Sequence, residues 1–379
     1  MQIALELAAR GTGCTSPNPL VGCVVVRDEI IIGEGWHEVY GHHHAEVNAL
    51  NAALKYAPAS PKNTPSEWVS STKVTQGATL YVTLEPCHHH GLTPPCTQAI
   101  IDAGISRIVY ALADPNPRAA GGAKWLAEQG VEVISGVLEK AARFQNRFFL
   151  QHVFTHRPYV IAKSATSLDG RIATRSGHSQ WITGPEARQR GHELRQAVDA
   201  IVVGAQTVIA DNPALTVRLP EHLCASEHIR HPRPIILDSS GRVPLDSKLL
   251  DGSLTTRTLV ATTDKMNKVH RKEIESRGFE VICLPHNPHG PGVDPLSLID
   301  ALGQRSLHSI LIEGGASVQG SFRDAGLIDE VWTFLAPKII GGKTAQPAFT
   351  ALGSDTLDQA TQLNDVRVEI VGNDVLIRG

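Results

Sequence analysis

Two stretches, GHHHAEVNAL (Gly41–Leu50) and YVTLEPCHHHGLTPPC (Tyr81–Cys96), decide how the first part of this chain is read. Together they supply His44 and Glu46 at the start of a helical pattern, then Cys87 and Cys96, each preceded by a proline (Pro86, Pro95). Catalytic zinc takes three protein ligands and leaves one position open for water, which it acidifies to near neutral pH. His44, Cys87 and Cys96 offer a nitrogen and two thiolates for such an ion, and Glu46 offers a carboxylate that is not a ligand and can carry protons. The competing reading has His44 and Glu46 on a solvated helix end and the two cysteines as small buried hydrophobes. His42, His43 and the run His88–His90 also compete as ligands.

Working outward, the neighbouring segments alternate between strand and helix patterns, as α/β proteins do. LVGCVVVRDEIIIGEGWH reads as two strands meeting at a turn near Arg27–Glu29, and HAEVNALNAALKYA as a helix with Val47, Leu50, Ala53 and Leu54 on one face. Pro58–Gly77, rich in Pro, Ser and Thr, reads as a loop insertion. ATLYVTL, RIVYAL and EVISGV read as strands, with helices in PPCTQAIIDAGI and AAGGAKWLAEQGV. A second alternation begins near Pro158: YVIAKSATSLDGRIA runs from a buried strand into a turn, PEARQRGHELRQAV is helical, and AIVVG, PIILD, TLVAT and SILIEGG are short apolar strands. The pattern predicts two α/β domains, residues 1–146 and 159–379, joined by a linker over 147–158.

A chain of 379 residues fits two or three domains. Its 42% hydrophobic and 19% charged residues are ordinary for a globular protein, and a net charge of −3 gives no footprint for nucleic acid. No stretch approaches the ~20 apolar residues that span a bilayer. The N-terminus, with Glu6 and Arg10 inside its helical pattern, lacks the basic start of a signal peptide. Six scattered cysteines do not form a disulfide framework. A cytoplasmic protein with reduced thiols, bound neither to membrane nor to nucleic acid, is expected. LVGCVVV and the C-terminal VRVEIVGNDVLIRG fit pairing with another copy as well as they fit core, so a homo-oligomer is compatible with the sequence.

The quartet follows the His-x-Glu … Pro-Cys … Cys signature of nucleobase deaminases, except that eight residues separate Cys87 from Cys96 where two are usual. TSPNPLVGCVVV, HAEVNAL, YVTLEPCHHHGLTPPC and ADPNP, in this order, resemble the deaminase half of the bifunctional RibD family of riboflavin biosynthesis, which widens the gap in this way. The resemblance implies a cytidine-deaminase-like domain, a sheet flanked by helices, with zinc on His44, Cys87 and Cys96 and Glu46 as proton shuttle. The implied substrate is 2,5-diamino-6-(5-phosphoribosylamino)pyrimidin-4-one, which loses its ring 2-amino group as ammonia. Asn18, Asp114 and Asn116 become candidates for holding it, although Asn and Asp beside Pro are also ordinary turn residues. Where the family pattern has an arginine, this chain reads AAGGA (Ala119–Ala123).

The second half carries Lys163 inside a buried strand and Glu313 at the end of SILI, two charges whose burial is costly without partners. Gly314 and Gly315, between that strand and a helix, suit close approach to phosphates but do not make the Gly-x-Gly-x-x-Gly fingerprint. AKSATSLDGRIAT, GHSQWITG, AIVVGAQTVIADNPALTVR, ILDSSGRVP, LIEGGA and LAPKIIGG resemble the reductase half of the same family, whose fold is similar to dihydrofolate reductase. That resemblance implies NADPH contacts at Ala165, Trp181, Thr207, Asp211 and Ser239, and along Gly315, Ala316, Ser317, Val318, Gln319, Gly320 and Ser321. It implies substrate contacts at Ser179, Arg195, Leu215, Arg218 and Glu313. Guanidinium groups at Arg195 and Arg218 suit the ribose 5-phosphate, and Lys163 and Glu313 are candidates for polarising and protonating the opened sugar. Asn212 stands where a second aspartate is expected after Asp211.

Two rivals remain at this level. A deaminase of another nucleobase, such as one in tRNA or cytidine, would lack a use for the second domain and would want a basic stripe with stacking aromatics. A chain in which one domain has lost its chemistry and serves as a binding module is harder to separate for the reductase, whose residues are dispersed.

Overall fold

Asp28 and Glu29 both take positive φ (48° and 65°), forming the tight turn that folds β2 (Ile30–Trp36) back antiparallel on β1 (Gly22–Arg27). In the computed structural model, all residues are described except 56–73, 92–93, 118, 221–228 and 255–256. The insertion read over Pro58–Gly77 therefore lies largely outside the described residues. The chain divides into two units, one over Met1–Thr155 and one beginning at His156.

In the first unit β3 (Thr79–Leu84) joins β1 antiparallel, and β4 (Arg107–Leu112) and β5 (Glu132–Ile134) follow in parallel, giving the order β2-β1-β3-β4-β5. Alternation along β1 sorts its side chains to two faces. Val24 meets Ala4 and Leu7 of α1 (Gln2–Ala9), while Cys23 and Val25 pack with Ala45, Ala49, Leu50 and Ala53 of α2 (Ala45–Leu54). The buried stripe of α2 is thus set by these small residues. Leu54, expected on that face, is 47% exposed at the helix end. α2 lies very close to β2: a Cβ on Gly35 would come within 2.3 Å of the Ala49 backbone nitrogen, so only glycine fits. α3 (Cys96–Asp102) and α4 (Gly122–Glu128) complete the crossovers. Arg147–Pro158, read as a linker, is helical over Arg147–Thr155, and Leu150 is buried in the first unit's core.

The second unit has a nine-stranded sheet on the described residues. β6 (Tyr159–Ser167), β7 (Ala200–Gly204), β8 (Arg233–Leu237), β9 (Leu259–Thr262), β10 (Glu280–Cys283), β11 (Ser309–Ile312) and β12 (Glu330–Ala336) pair in parallel, and β14 (Asp374–Arg378) and β13 (Arg367–Val371) add an antiparallel hairpin. The order β10-β9-β8-β7-β11-β6-β12-β14-β13 places β11 between β7 and β6, consistent with a dihydrofolate-reductase-like domain. AIVVG is apolar throughout, and SILI apart from Ser309, because both faces are covered. LVGCVVV is an internal strand of its sheet. Of the two segments read as open to pairing, only the C-terminal hairpin reaches an edge, where Val368 and Ile370 of β13 are exposed. No helix among the described residues is long and apolar enough to cross a membrane.

Candidate active sites

His44 stands at the N-cap of α2 with extended backbone, Cys96 is the first residue of α3, and Cys87 lies in the turn after β3. These three breaks in regular structure converge: His44 Nδ1 lies 3.2 Å from Cys96 Sγ and 3.5 Å from Cys87 Sγ. All three donor atoms fall within 4.8 Å of one another. Tetrahedral zinc, with Zn–S near 2.3 Å and Zn–N near 2.1 Å, asks for donors roughly 3.5–3.8 Å apart, so the set fits. The Cys96 thiol and His44 both hydrogen-bond to the Cys87 sulfur and bring its pKa down to about 4, the thiolate a metal requires. Among the competing histidines, His88 is committed to Thr97 Oγ1 (2.9 Å) and stacks on Trp125.

Glu46, in the first turn of α2, is 4% exposed. Burial, and then the negative charge of Cys87, push its pKa up to about 7, within reach of both protonation states at neutral pH. A cavity of about 280 Å³ opens over Glu46, His44 and Cys87, lined also by Asn18, His37, His89, Asp114 and Asn116. All three residues expected to hold the pyrimidine therefore share one cavity with His44, Cys87 and Glu46. Asp114 Oδ1 accepts from the Asn116 N–H (2.9 Å), and burial together with Glu85 raises the Asp114 pKa to about 6. Glu85, which sequence reasoning passed over, is 8% exposed. Its carboxylate accepts from the backbone N–H groups of Asp114 (3.2 Å), Gly121 (3.0 Å) and Ala123 (3.0 Å). The AAGGA stretch thus contributes two backbone donors to a buried carboxylate. His37, also passed over, is 3% exposed. Burial lowers its pKa and keeps the ring neutral.

In the second unit Glu313 follows β11 and Thr207 lies just after β7, at the carboxyl ends of parallel strands, where open α/β sheets bind ligands. Lys163 on β6 reaches Glu313 Oε1 with its Nζ (2.9 Å), and Arg195 on α7 (Pro185–Ala197) reaches Oε2 with its Nε (2.6 Å). Burial alone would raise the Glu313 pKa, but Arg195 and Lys163 outweigh it and hold the carboxyl at about 2. Two cations on one carboxylate leave net positive charge. Beside them His192 accepts the Arg218 N–H at Nδ1 (3.2 Å), and burial with the charges of Arg195 and Arg218 lowers its pKa to about 4. Leu215 is buried and Arg218 exposed.

Thr207 on α8 (Ala205–Asp211) flanks Gly314, ahead of α11 (Ala316–Asp324). Within Gly315–Ser321 the residues face different ways: Gln319 is buried and donates from Nε2 to the Lys163 carbonyl (3.0 Å), and Gly320 packs against the Thr350 carbonyl. Trp181 is 62% exposed beneath the Arg188 guanidinium, 4.6 Å from its ring centre. Ser239 offers its carbonyl to Thr263 Oγ1 (2.7 Å), and Ala165 is half-buried on β6. Asp211 and Ser179 lie on the connections after β7 and β6, and Asn212 Oδ1 accepts from the Lys248 N–H (2.9 Å).

A histidine and two cysteines converging beside a buried glutamate, in a unit separate from a largely parallel sheet with charged strand ends, define a zinc deaminase fused to an α/β oxidoreductase. Residues 1–112 match the family described as the cytidine and deoxycytidylate deaminase zinc-binding region, and residues 158–377 match the RibD C-terminal domain. The riboflavin biosynthesis protein RibD of Actinobacillus pleuropneumoniae is 39% identical over 100% of this chain and 93% of that protein. The solved RibD of Acinetobacter baumannii matches with a TM-score of 0.83 and 38% identity, covering 100% of this chain and 96% of that one. A Thermotoga maritima structure described as a diaminohydroxyphosphoribosylaminopyrimidine deaminase/5-amino-6-(5-phosphoribosylamino)uracil reductase matches with a TM-score of 0.81 and 36% identity, over 100% and 96%. The chain belongs to the RibD family, and is a bifunctional deaminase and reductase of riboflavin biosynthesis.

Proposed function

We propose that residues 1–146 hydrolytically deaminate 2,5-diamino-6-(5-phosphoribosylamino)pyrimidin-4-one, and that residues 159–379 use NADPH to reduce the ribosyl chain to 5-amino-6-(5-phosphoribitylamino)uracil. The observation that carries the first half is the convergence of His44, Cys87 and Cys96, with His44 and Cys87 lining one cavity with Glu46. His44, Cys87 and Cys96 would hold a zinc ion, which would acidify the water that attacks ring C2. Glu46 takes the proton that this water gives up and delivers it to the ring 2-amino nitrogen, which leaves as ammonia. Asn18, Asp114 and Asn116 orient the pyrimidine from the opposite wall.

In the second half, bound NADPH supplies the hydride. Arg195 and Arg218, with His192 between them, offer a positive surface to the substrate's phosphate. Glu313 stays ionised at neutral pH and so acts by fixing Lys163 and Arg195 rather than by giving up a proton. Lys163 is then the acid: its ammonium protonates the ribose ring oxygen as the bond from that oxygen to C1′ breaks, and C1′ accepts the hydride. Trp181, Thr207, Asp211, Ser239, Ala165 and the start of α11 line the cofactor's side, with Ser179 and Leu215 on the substrate's. The enzyme works in the cytoplasm on a small molecule, without nucleic acid or membrane, and β13 is the edge through which copies would pair.

The test is metal content and ammonia release on the same samples. Cys87→Ala is expected to lose both, and Glu46→Gln to keep about one zinc per chain while ammonia release falls roughly 10²- to 10⁴-fold. Wild-type protein that deaminates without metal would overturn the reading.

A further inference from the structure

His37 opens the connection from β2 to α2 without belonging to the quartet, yet its ring lies against that of His44 and reaches Asn18. Its Nδ1 is 3.0 Å from the carbonyl oxygen of His43, the residue before His44. Its Nε2 is 3.1 Å from Asn18 Nδ2. A carbonyl oxygen only accepts, so Nδ1 carries the ring proton, and in the neutral ring Nε2 is left as an acceptor. Nε2 can then be satisfied only by an N–H, which turns the Asn18 carboxamide nitrogen toward His37. The Asn18 carbonyl Oδ1 has no protein partner among the described residues, and Asn18 lines the cavity over Glu46.

We propose that His37 is a positioning residue that fixes the sense of the Asn18 carboxamide, so that its Oδ1 is presented to the cavity as an acceptor for an N–H or amino group of the pyrimidine. The inference rests on the reading of Asn18 as a substrate-binding residue. A carboxamide reversed by half a turn has nearly the same shape but the opposite donor and acceptor, so without His37 the site would hold Asn18 in place and lose its sense. The backbone carbonyl of His43 is the fixed point from which the whole relay takes its direction, because a main-chain acceptor cannot be flipped.

A double-mutant cycle on ammonia release, with zinc per chain measured on every sample, tests this. Asn18→Ala is expected to lower kcat/KM roughly 5- to 100-fold, mostly through KM, the cost of losing one hydrogen bond and leaving its partner unpaired. His37→Phe should keep its zinc and lower kcat/KM comparably, and the double variant should be no worse than Asn18→Ala alone. If His37→Phe does not fold, His37→Gln replaces it in the same cycle, since it changes the acceptor at Asn18 while keeping a donor for His43. Losses that multiply in the double variant, or zinc lost with His37→Phe, would overturn the proposal, placing His37 in general packing or in ligand support. Asn18→Ala with wild-type kcat/KM would overturn the reading of Asn18 itself, a result distinct from multiplying losses.

Discussion

Gly122, the first residue of α4, is where a single methyl group should disable one activity and spare the other. A Cβ there would lie 1.9 Å from the Pro86 carbonyl oxygen and 3.0 Å from Thr97 Cγ2, whereas ordinary contact begins at 3.4 Å. Pro86 precedes Cys87 and Thr97 follows Cys96, so the methyl would be wedged between the two cysteine loops. The helix start cannot back away freely, because the flanking N–H groups of Gly121 and Ala123 are held by buried Glu85. Leaving such a carboxylate unpaired costs about 1–3 kcal/mol per bond. The cysteine loops must therefore part by more than an ångström, in a site whose ligand distances need to hold within about 0.2 Å. Gly122→Ala is expected to weaken zinc binding by at least the roughly 10- to 100-fold seen when the support of metal ligands is lost. Zinc per chain after dialysis and ammonia release should fall together, while NADPH oxidation with deaminated substrate, from the second domain, controls for folding. A Gly122→Ala protein with full zinc and ammonia release within twofold of wild type would refute the reasoning.

Lys163→Met is expected to lower NADPH oxidation by roughly 10²-fold or more, as loss of a general acid does, with ammonia release unchanged; wild-type oxidation would remove Lys163 from the chemistry. Glu313→Gln removes the one carboxylate shared by Lys163 and Arg195, and breaking a buried pair of this kind costs about 3 kcal/mol. The Glu313 pKa is lowered by folding from 4.5 to about 2, so its stabilisation is fully present above the unfolded value and is lost as pH falls through the folded one. Urea midpoints for the second domain should therefore separate wild type from Glu313→Gln clearly at pH 7 and converge toward pH 3. A separation that does not change with pH would show that the carboxylate's charge is not what matters.

The zinc quartet was legible because each part is local. His44 and Glu46 are one helix start, and each cysteine follows a proline at the boundary of a regular element, so ligand type and chain geometry are written in the same few residues. The strands were legible where burial on both faces makes an unbroken apolar run, as in AIVVG. What the sequence withheld depends on distant partners. Glu85 looks like any polar residue at a strand end until the N–H groups of Asp114, Gly121 and Ala123 close on it. His37 shows no pattern, since its meaning comes from one backbone carbonyl and one asparagine. Lys163 and Glu313 stood out as charges in or at the end of apolar strands, but their pairing with Arg195 joins three separate elements and shows only in the fold. Gln319 and Gly320 lie on the helix that the sequence places after Gly315, but which of its residues its period turns inward depends on the packing around it.

The two buried glutamates show how one residue type is assigned opposite duties by its surroundings. Glu46 and Glu313 both lose water, and for each that loss alone favours the protonated form. Around Glu46 the first charge to follow is the Cys87 thiolate, which pushes the same way, so the carboxyl is left near neutrality, able to accept and return a proton. A dication on the neighbouring ligands would draw it toward its ionised form, ready to act as a base. Around Glu313 the neighbours are Lys163 and Arg195, which overturn the burial effect and keep the carboxylate charged throughout the working range. In the proposed mechanism it therefore holds the lysine, and the lysine gives the proton that opens the ribose. Acid and base roles in the two domains thus follow from which charges each fold places beside an equally buried side chain, and not from the side chain itself.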